Sequence, residues 1–283
     1  MVKCNCTSKQ LLNPINIYSS FYSSGRSYRY LKCSGCLSLF WDDIEDSITY
    51  DNTYYSFQEK SSRKLSHLEK QRYLGKSTLA KIMRICFPLS LMNTIVFDSL
   101  RNNRYNILDY GSGSGGFTRF LEQLEYDGKI VSYDPFYDGH NVNILTEKAQ
   151  IGWEDIGMVY CNQVFEHVVD LNALLLEIFE KAKLGTVLIF SMPLLGSLVR
   201  QFGELAYVLQ VPDHKSLYTQ KGLKALLKQL PWETISMHVE DLHSEYGKLS
   251  VPIDDNNYRR DIFIADDYVG GNNAVVMLKK LYE

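Results

Sequence analysis

Ile107-Leu-Asp-Tyr-Gly-Ser-Gly-Ser-Gly-Gly116 is the stretch on which the fold turns. A short apolar strand, residues 105–110, runs into a turn holding Gly111, Gly113, Gly115 and Gly116, and a helix is expected from Gly116 to Leu124. Glycines allow positive φ and close approach of the backbone to a ligand. Free N–H groups at the helix start attract a negative group.

Working outward, strands and helices alternate. Residues 129–134, 157–162 and 186–191 read as strands, the last as a fully buried one. Between the last two, residues 171–183 carry Leu171, Leu174, Leu175, Ile178 and Phe179 at helical spacing. Alternation of this kind predicts a mostly parallel sheet with helices on both faces, a Rossmann-like α/β fold. Residues 220–229 read as a helix, and 232–239 and 274–281 as strands. That α-β-β ending predicts an antiparallel hairpin at one edge of a seven-stranded sheet. The apolar stretch 194–211 leaves the carboxyl end of a strand, where open α/β sheets bind ligands. Two readings stay open for it, a lid or wall of the substrate site and a plain packing helix.

Upstream, residues 58–104 turn to Lys, Arg, Leu and Ile at helical spacing, with Pro88 ending one helix and opening the next. Residues 1–57 are rich in Ser, Tyr and Asn, with short strand-like runs at 27–31 and 37–41. The expected organisation is therefore 1–57, 58–104 and 105–283. In 283 residues, 30 Lys and Arg stand against 33 Asp and Glu, a net charge of −3. That balance argues against a surface built to grip nucleic acid. The pairs Arg259-Arg260 and Lys279-Lys280 are too small to change this and read as solvated faces. The longest apolar stretch, 82–97, is broken by Arg84, Pro88, Ser90, Asn93 and Thr94, so no membrane span is expected. Without an apolar signal core at the N-terminus, a cytoplasmic location is expected.

The glycine turn could serve two ligand classes. Gly111, Gly113 and Gly116 satisfy the G-x-G-x-x-G dinucleotide fingerprint, with Asp134 further on. Asp109, two positions before the first glycine, discriminates. A carboxylate there sits badly beside a pyrophosphate but suits a ligand with a cationic end, while Asp134 can bind both ribose hydroxyls. Together they describe a nucleoside with an amino-acid tail. The plain alternative is a turn that only packs strand against helix.

These residues, with Asn162-Gln-Val-Phe-Glu-His-Val168, residues 181–185 and 189–193, and Asp213-His-Lys-Ser-Leu-Tyr-Thr219, resemble the class I S-adenosylmethionine-dependent methyltransferases over about residues 100–283. The family's usual proline is missing from 181–185. The resemblance implies that Gly111, Gly113 and Gly115 lie against the methionine and ribose of S-adenosylmethionine, and that Asp109 faces its amino end. It implies ribose binding by Asp134, adenine contact by Phe136, and Asn162 and Gln163 near the sulfonium. No residue for the adenine amino group stands out, because the strand within 141–151 is unclear.

Cysteines mark a second site. Cys4-x-Cys6 and Cys33-x-x-Cys36, joined by 26 residues, offer four thiolates, the number a closed tetrahedral zinc site needs. In a reducing compartment clustered thiols are more often ligands than disulfides. Four unligated thiols are the alternative. Cys86 and Cys161 read as small core residues. The cysteine pairs followed by Tyr50-Asp-Asn-Thr-Tyr-Tyr55 resemble the N-terminal zinc-binding module of bacterial sugar C-methyltransferases, which implies a structural zinc and an acceptor such as a sugar nucleotide.

Methyl transfer requires a positioned acceptor and removal of its proton. Among the six histidines, His167 directly follows a strand at the ligand edge, and His214 precedes the next helix. We expect His167 as general base with Glu166 in support, and His214 at the acceptor site. A Glu-His pair that merely caps the next helix is the alternative. Tyr54 and Tyr55 could roof the pocket or pack a linker, and His67, His140, His238 and His243 read as surface residues. Two rival functions use the same features: a nicotinamide-dependent oxidoreductase on the glycine turn, and a non-catalytic zinc-bearing interaction module.

Overall fold

The computed structural model describes residues 4, 6, 12–18, 26–42, 57, 64–81, 91–139, 143–240, 268 and 270–282. Tyr54, Tyr55, Cys86, Pro88, His140, His243 and the Arg259-Arg260 pair lie outside them. The described strands are β1 (Leu12–Tyr18), β2 (Ser27–Cys33), β3 (Leu39–Trp41), β4 (Ile107–Tyr110), β5 (Ile130–Tyr133), β6 (Ile144–Leu145), β7 (Met158–Asn162), β8 (Val187–Pro193), β9 (Ser216–Leu217), β10 (Glu233–Glu240) and β11 (Asn273–Lys279). The described helices are α1 (His67–Leu74), α2 (Leu91–Asn102), α3 (Gly116–Gln123), α4 (Leu171–Lys181), α5 (Ser197–Phe202) and α6 (Gln220–Leu227). No described helix is long and apolar enough to cross a membrane.

A seven-stranded sheet has the order β10-β11-β8-β7-β4-β5-β6. Strand β4 pairs in parallel with β5 on one side and β7 on the other, so the chain winds outward to β6 and then returns past β4. The reversal lies beside the end of β4, the position at which open α/β sheets bind ligands. Every residue of β8 is buried, as expected for a strand covered on both faces. Thr186, just before it, bonds to Lys280, and Leu194, just after it, to Asn272, so β11 runs antiparallel to it, and the expected seven strands are all present. Helix α4 buries the five apolar residues expected to form its inner face.

The chain divides into two compact units. One holds residues 49–162, 181–190 and 277–283. There Tyr73, Phe97 and Phe120 pack edge to face, and Ile107 and Leu108 of β4 are fully buried. Lys280 corrects the solvated-face reading: it is buried, and its ammonium donates to the Ala182 carbonyl at 2.9 Å.

The other unit holds residues 1–48, 163–180 and 191–276. In it β1, β2, β3 and β9 form a second sheet, Phe40 pairing with Ser216. The stretch 194–211 contains only a short helix, α5, followed by single 3₁₀ turns. Its Leu195, Leu198, Val199, Val208, Leu209 and Val211 are buried against Tyr28, Tyr30, Leu39 and Trp41. These apolar side chains are spent on a core, which supports the packing reading.

Candidate functional site

The glycine turn takes the conformation its composition permits: φ is +73° at Gly111, +54° at Gly113 and +81° at Gly115. A side chain at such φ costs roughly 1–2 kcal/mol. Gly115 is the left-handed residue capping α3. Gly116 differs, since a Cβ there would meet no atom within 4 Å. In the dinucleotide fingerprint the third glycine exists to let helix and strand pack closely. Gly116 does not serve that purpose, so the third position of the fingerprint lacks its structural reason here.

Asp134 closes the turn from the neighbouring strand. Its carboxylate accepts from the Gly113 N–H at 2.9 Å and from the Phe136 N–H at 3.0 Å. Phe136 itself stands 56% exposed, open to a planar ligand. Asp109 is buried, yet the hydroxyl of Thr118 reaches it only at a long 3.5 Å. Burial, followed by the charge of Asp134, raises its carboxyl to about 7. Ser112 Oγ, inside the turn, is buried with no hydrogen-bond partner. An under-solvated carboxyl and an orphaned hydroxyl beside bare backbone are what a cationic, polar ligand would satisfy. Asn162 is the exposed last residue of β7. The strand left unclear in the sequence is β6.

In the other unit, Gln163 adopts φ +54°, and its amide donates to Ser191 Oγ and Asn273 Oδ1, both at 3.1 Å. Its side chain fastens strand ends. A 3₁₀ turn, Phe165–His167, follows. His167 Nδ1 lies 3.1 Å from Asp213 Oδ1 and 3.2 Å from the Asp213 carbonyl. Burial opposes its protonation, but the Asp213 hydrogen bond and the Glu166 charge raise its pKa overall. Glu166 is buried, and burial raises it to about 7. His214 is buried, its Nδ1 2.8 Å from the Val208 carbonyl, and burial with the neighbouring His167 lowers it to about 3. The two imidazoles meet edge to face, centroids 5.0 Å apart. Backbone bonds clamp the segments together: Lys215 N–H to the Glu166 carbonyl at 2.6 Å, and Tyr30 O–H to the His214 carbonyl at 2.6 Å. Sequence reasoning missed Asp213, although it adjoins His214. His67 and His238 are exposed, as expected.

The four N-terminal cysteines also converge, their sulfurs all within 4.8 Å of one another. Cys4 lies 3.3 Å from Cys6 and 3.4 Å from Cys36, and Cys6 lies 3.2 Å from Cys33. Zinc–sulfur bonds of about 2.3 Å set tetrahedral edges of roughly 3.8 Å, so the cluster needs little expansion to close on an ion. The Cys4 hydrogen bond lowers Cys36 to about 5, while burial and the Cys33 hydrogen bond raise Cys6 to about 11. Four thiolates held this close would repel one another, a cost that a cation joining them would relieve. Cys161 is fully buried, as a core residue should be.

Residues 68–236, more than half of the chain, match the model of a family described as a methyltransferase domain. No curated protein matches the chain. Among solved structures, it is similar to an S-adenosylmethionine-dependent methyltransferase from Archaeoglobus fulgidus, with 20% identity and TM-score 0.42 over 71% of this chain and 99% of that one. Another, from Methanosarcina mazei, has 15% identity and TM-score 0.43 over 67% and 98%. A third, from Mesorhizobium loti, has 13% identity and TM-score 0.40 over 73% and 100%.

Proposed function

The chain belongs to the methyltransferase-domain family that its residues 68–236 match, and on that premise we propose that it transfers a methyl group from S-adenosylmethionine to a small polar acceptor, a sugar nucleotide or another bacterial metabolite. The observation that carries this reading is Asp109: a buried carboxyl with one long hydrogen bond, just before a glycine turn. It suits the ammonium of the methionine moiety. In this reading Asp134 takes the ribose hydroxyls with the acceptor capacity left after Gly113 and Phe136, and Phe136 covers the adenine. Gly111, Gly113 and Gly115 give the ligand room at the backbone, and Asn162 lies at the reacting end with Gln163 behind it. When bound, the cofactor supplies a methyl group on a cationic sulfur. What remains for the protein is to orient the acceptor and unload its proton. We assign that task to Glu166, His167 and His214, with Asp213 orienting His167.

The N-terminal segment, 1–57, is assigned as a zinc ribbon with an aromatic linker, 58–104 as the helical connection, and 105–283 as the methyltransferase domain. Cys4, Cys6, Cys33 and Cys36 would hold a structural zinc, since four thiolates leave no open coordination position. A reducing, cytoplasmic setting belongs to the same reading.

Calorimetry tests the proposal. S-adenosylhomocysteine should bind with a Kd in the micromolar range or tighter, and NAD and NADP should give no heat. Binding of a nicotinamide dinucleotide instead would return the oxidoreductase reading. Zinc without any adenosyl ligand would return the interaction module.

A further inference from the structure

The cluster that prepares the acceptor has a composition beyond acid–base work. Glu166, His167 and His214 each offer one ligand atom, and these atoms lie within 4.8 Å of one another. Two imidazoles and one carboxylate are a recurring donor set for divalent first-row transition ions. Convergence alone does not make a site, and two further observations point to an ion.

The first concerns the imidazoles. In metal sites the ligating histidine donates its other ring N–H to a carboxylate or a backbone carbonyl, which fixes the tautomer and turns the lone pair toward the metal. Both rings here have such a partner, and on the same nitrogen. His167 Nδ1 faces Asp213 Oδ1 at 3.1 Å, and His214 Nδ1 faces the Val208 carbonyl at 2.8 Å. Placing each proton on Nδ1 satisfies both acceptors and leaves each Nε2 as the electron-pair donor. His167 Nε2 is the nitrogen nearer Glu166, 3.8 Å from its Oε1, beyond hydrogen-bond length.

The second concerns the carboxylate. Glu166 is 1% exposed, and its Oε2 is buried with no hydrogen-bond partner. A buried carboxylate oxygen without a donor is costly, and each such atom in a folded protein calls for an explanation. Asp213, fully buried, adds a second carboxylate within the same few ångströms.

We infer that Glu166, His167 and His214 bind one divalent transition-metal ion through the Glu166 carboxylate and the two Nε2 atoms, with Asp213 and the Val208 carbonyl as the outer partners that set the rings. The site is distinct from the four cysteines, in ligands and in function. Three protein ligands leave coordination positions open, as in catalytic metal sites, whereas four thiolates close theirs. The role of the ion rests on the methyl-transfer reading above and replaces general-base work by His167 with ligation: an oxygen of the acceptor would occupy an open position, and the ion would lower the pKa of a hydroxyl there so that its proton passes to water. The acceptor class is thereby narrowed to molecules with an oxygen donor.

The test uses the full-length protein carrying its zinc, titrated with Co²⁺. Zinc held by four thiolates should stay in place, because carboxylate and imidazole ligands, not thiolates, are what the added ion finds. One Co²⁺ per chain should bind, with weak visible bands and no sulfur charge-transfer absorption. Two exchangeable imidazole N–H protons should appear as paramagnetically shifted NMR signals, since both Nδ1 protons point away from the ion. E166Q and H214Q should weaken Co²⁺ binding at least tenfold, and H238Q should not. No Co²⁺ binding beyond the zinc, a cobalt spectrum dominated by sulfur, or unchanged affinity in E166Q would overturn the inference. The NMR signals of unmutated protein decide the matter even where a variant fails to fold. If S-adenosylhomocysteine binds and Co²⁺ does not, the inference fails while the methyltransferase reading stands. If Co²⁺ binds as described and no adenosyl ligand does, the site stands and that reading fails.

Discussion

Replacing Asp109 with Asn should stabilise the unliganded protein while weakening its hold on S-adenosylmethionine. Burial, then the charge of Asp134, raises the Asp109 carboxyl from 3.8 to about 7. One tenfold change in acidity corresponds to about 1.36 kcal/mol, so keeping this group ionised in the folded chain costs about 4 kcal/mol at pH 8. The sign follows from linkage. Below about pH 4 the carboxyl is neutral in both folded and unfolded chains, and the substitution changes nothing. Between about 4 and 7 the unfolded chain releases the proton first, so the wild type loses stability as pH rises. Above 7 the deficit is constant. At roughly 2–4 °C per kcal/mol, D109N should melt about 8–16 °C higher than wild type at pH 8 and at the same temperature near pH 4. The lost Thr118 contact, at 3.5 Å, offsets little. Binding should move oppositely. An ammonium beside Asp109 restores its ionised form, so wild-type binding at pH 6 should release close to one proton, seen as a binding enthalpy that changes with buffer ionisation heat. At pH 9 that release should vanish, and in D109N it should vanish at both. A D109N protein no more stable at pH 8, or a buffer-independent enthalpy at pH 6, would refute the reasoning.

Removing zinc with a strong chelator, or substituting Cys36 with Ser, should unfold the N-terminal strands and lower the melting temperature; an unchanged melt with zinc demonstrably gone would show the metal is incidental. Gly222 of α6 packs on that knuckle, and a Cβ there would come within 2.1 Å of Ser38 Oγ and 3.1 Å of Cys36 Sγ. G222A should therefore speed zinc release several-fold, measured with a chromogenic chelator, and slow release would refute the contact. In the glycine turn, G115A should cost roughly 1–2 kcal/mol through its left-handed φ and weaken S-adenosylhomocysteine binding. G116A should leave binding within twofold, because nothing stands within 4 Å; a large loss would revive the dinucleotide reading. H167A and E166Q should each lower kcat by about 10²–10⁴-fold and leave the Kd for S-adenosylhomocysteine within about twofold.

The β-strands 107–110, 130–133, 158–162 and 187–193 were legible because burial on both faces demands continuous apolar runs, and helix α4 because its inner face repeats every three to four residues. The glycine turn was equally plain: glycines between a strand and a helix permit the positive φ that the turn adopts, and φ preferences act over a few residues. The cysteines announced themselves by type and spacing alone.

Other features depend on partners far along the chain. Asp213 is meaningful only because a loop 46 residues after His167 returns to its imidazole. Lys280 looks like half of a solvated pair until the Ala182 carbonyl, 98 positions away, accepts a hydrogen bond from its ammonium. Whether residues 194–211 cover a ligand or fill a core is decided by Tyr28, Tyr30, Leu39 and Trp41, which share no sequence signal with them. Local sequence thus determined the sheet, its glycine turn and the thiol set, since hydrophobic periodicity and φ preferences are properties of neighbouring residues. Tertiary structure alone decided which acid holds His167, which lysine is buried and which apolar stretch is core, because those outcomes depend on what the folded chain brings within a few ångströms.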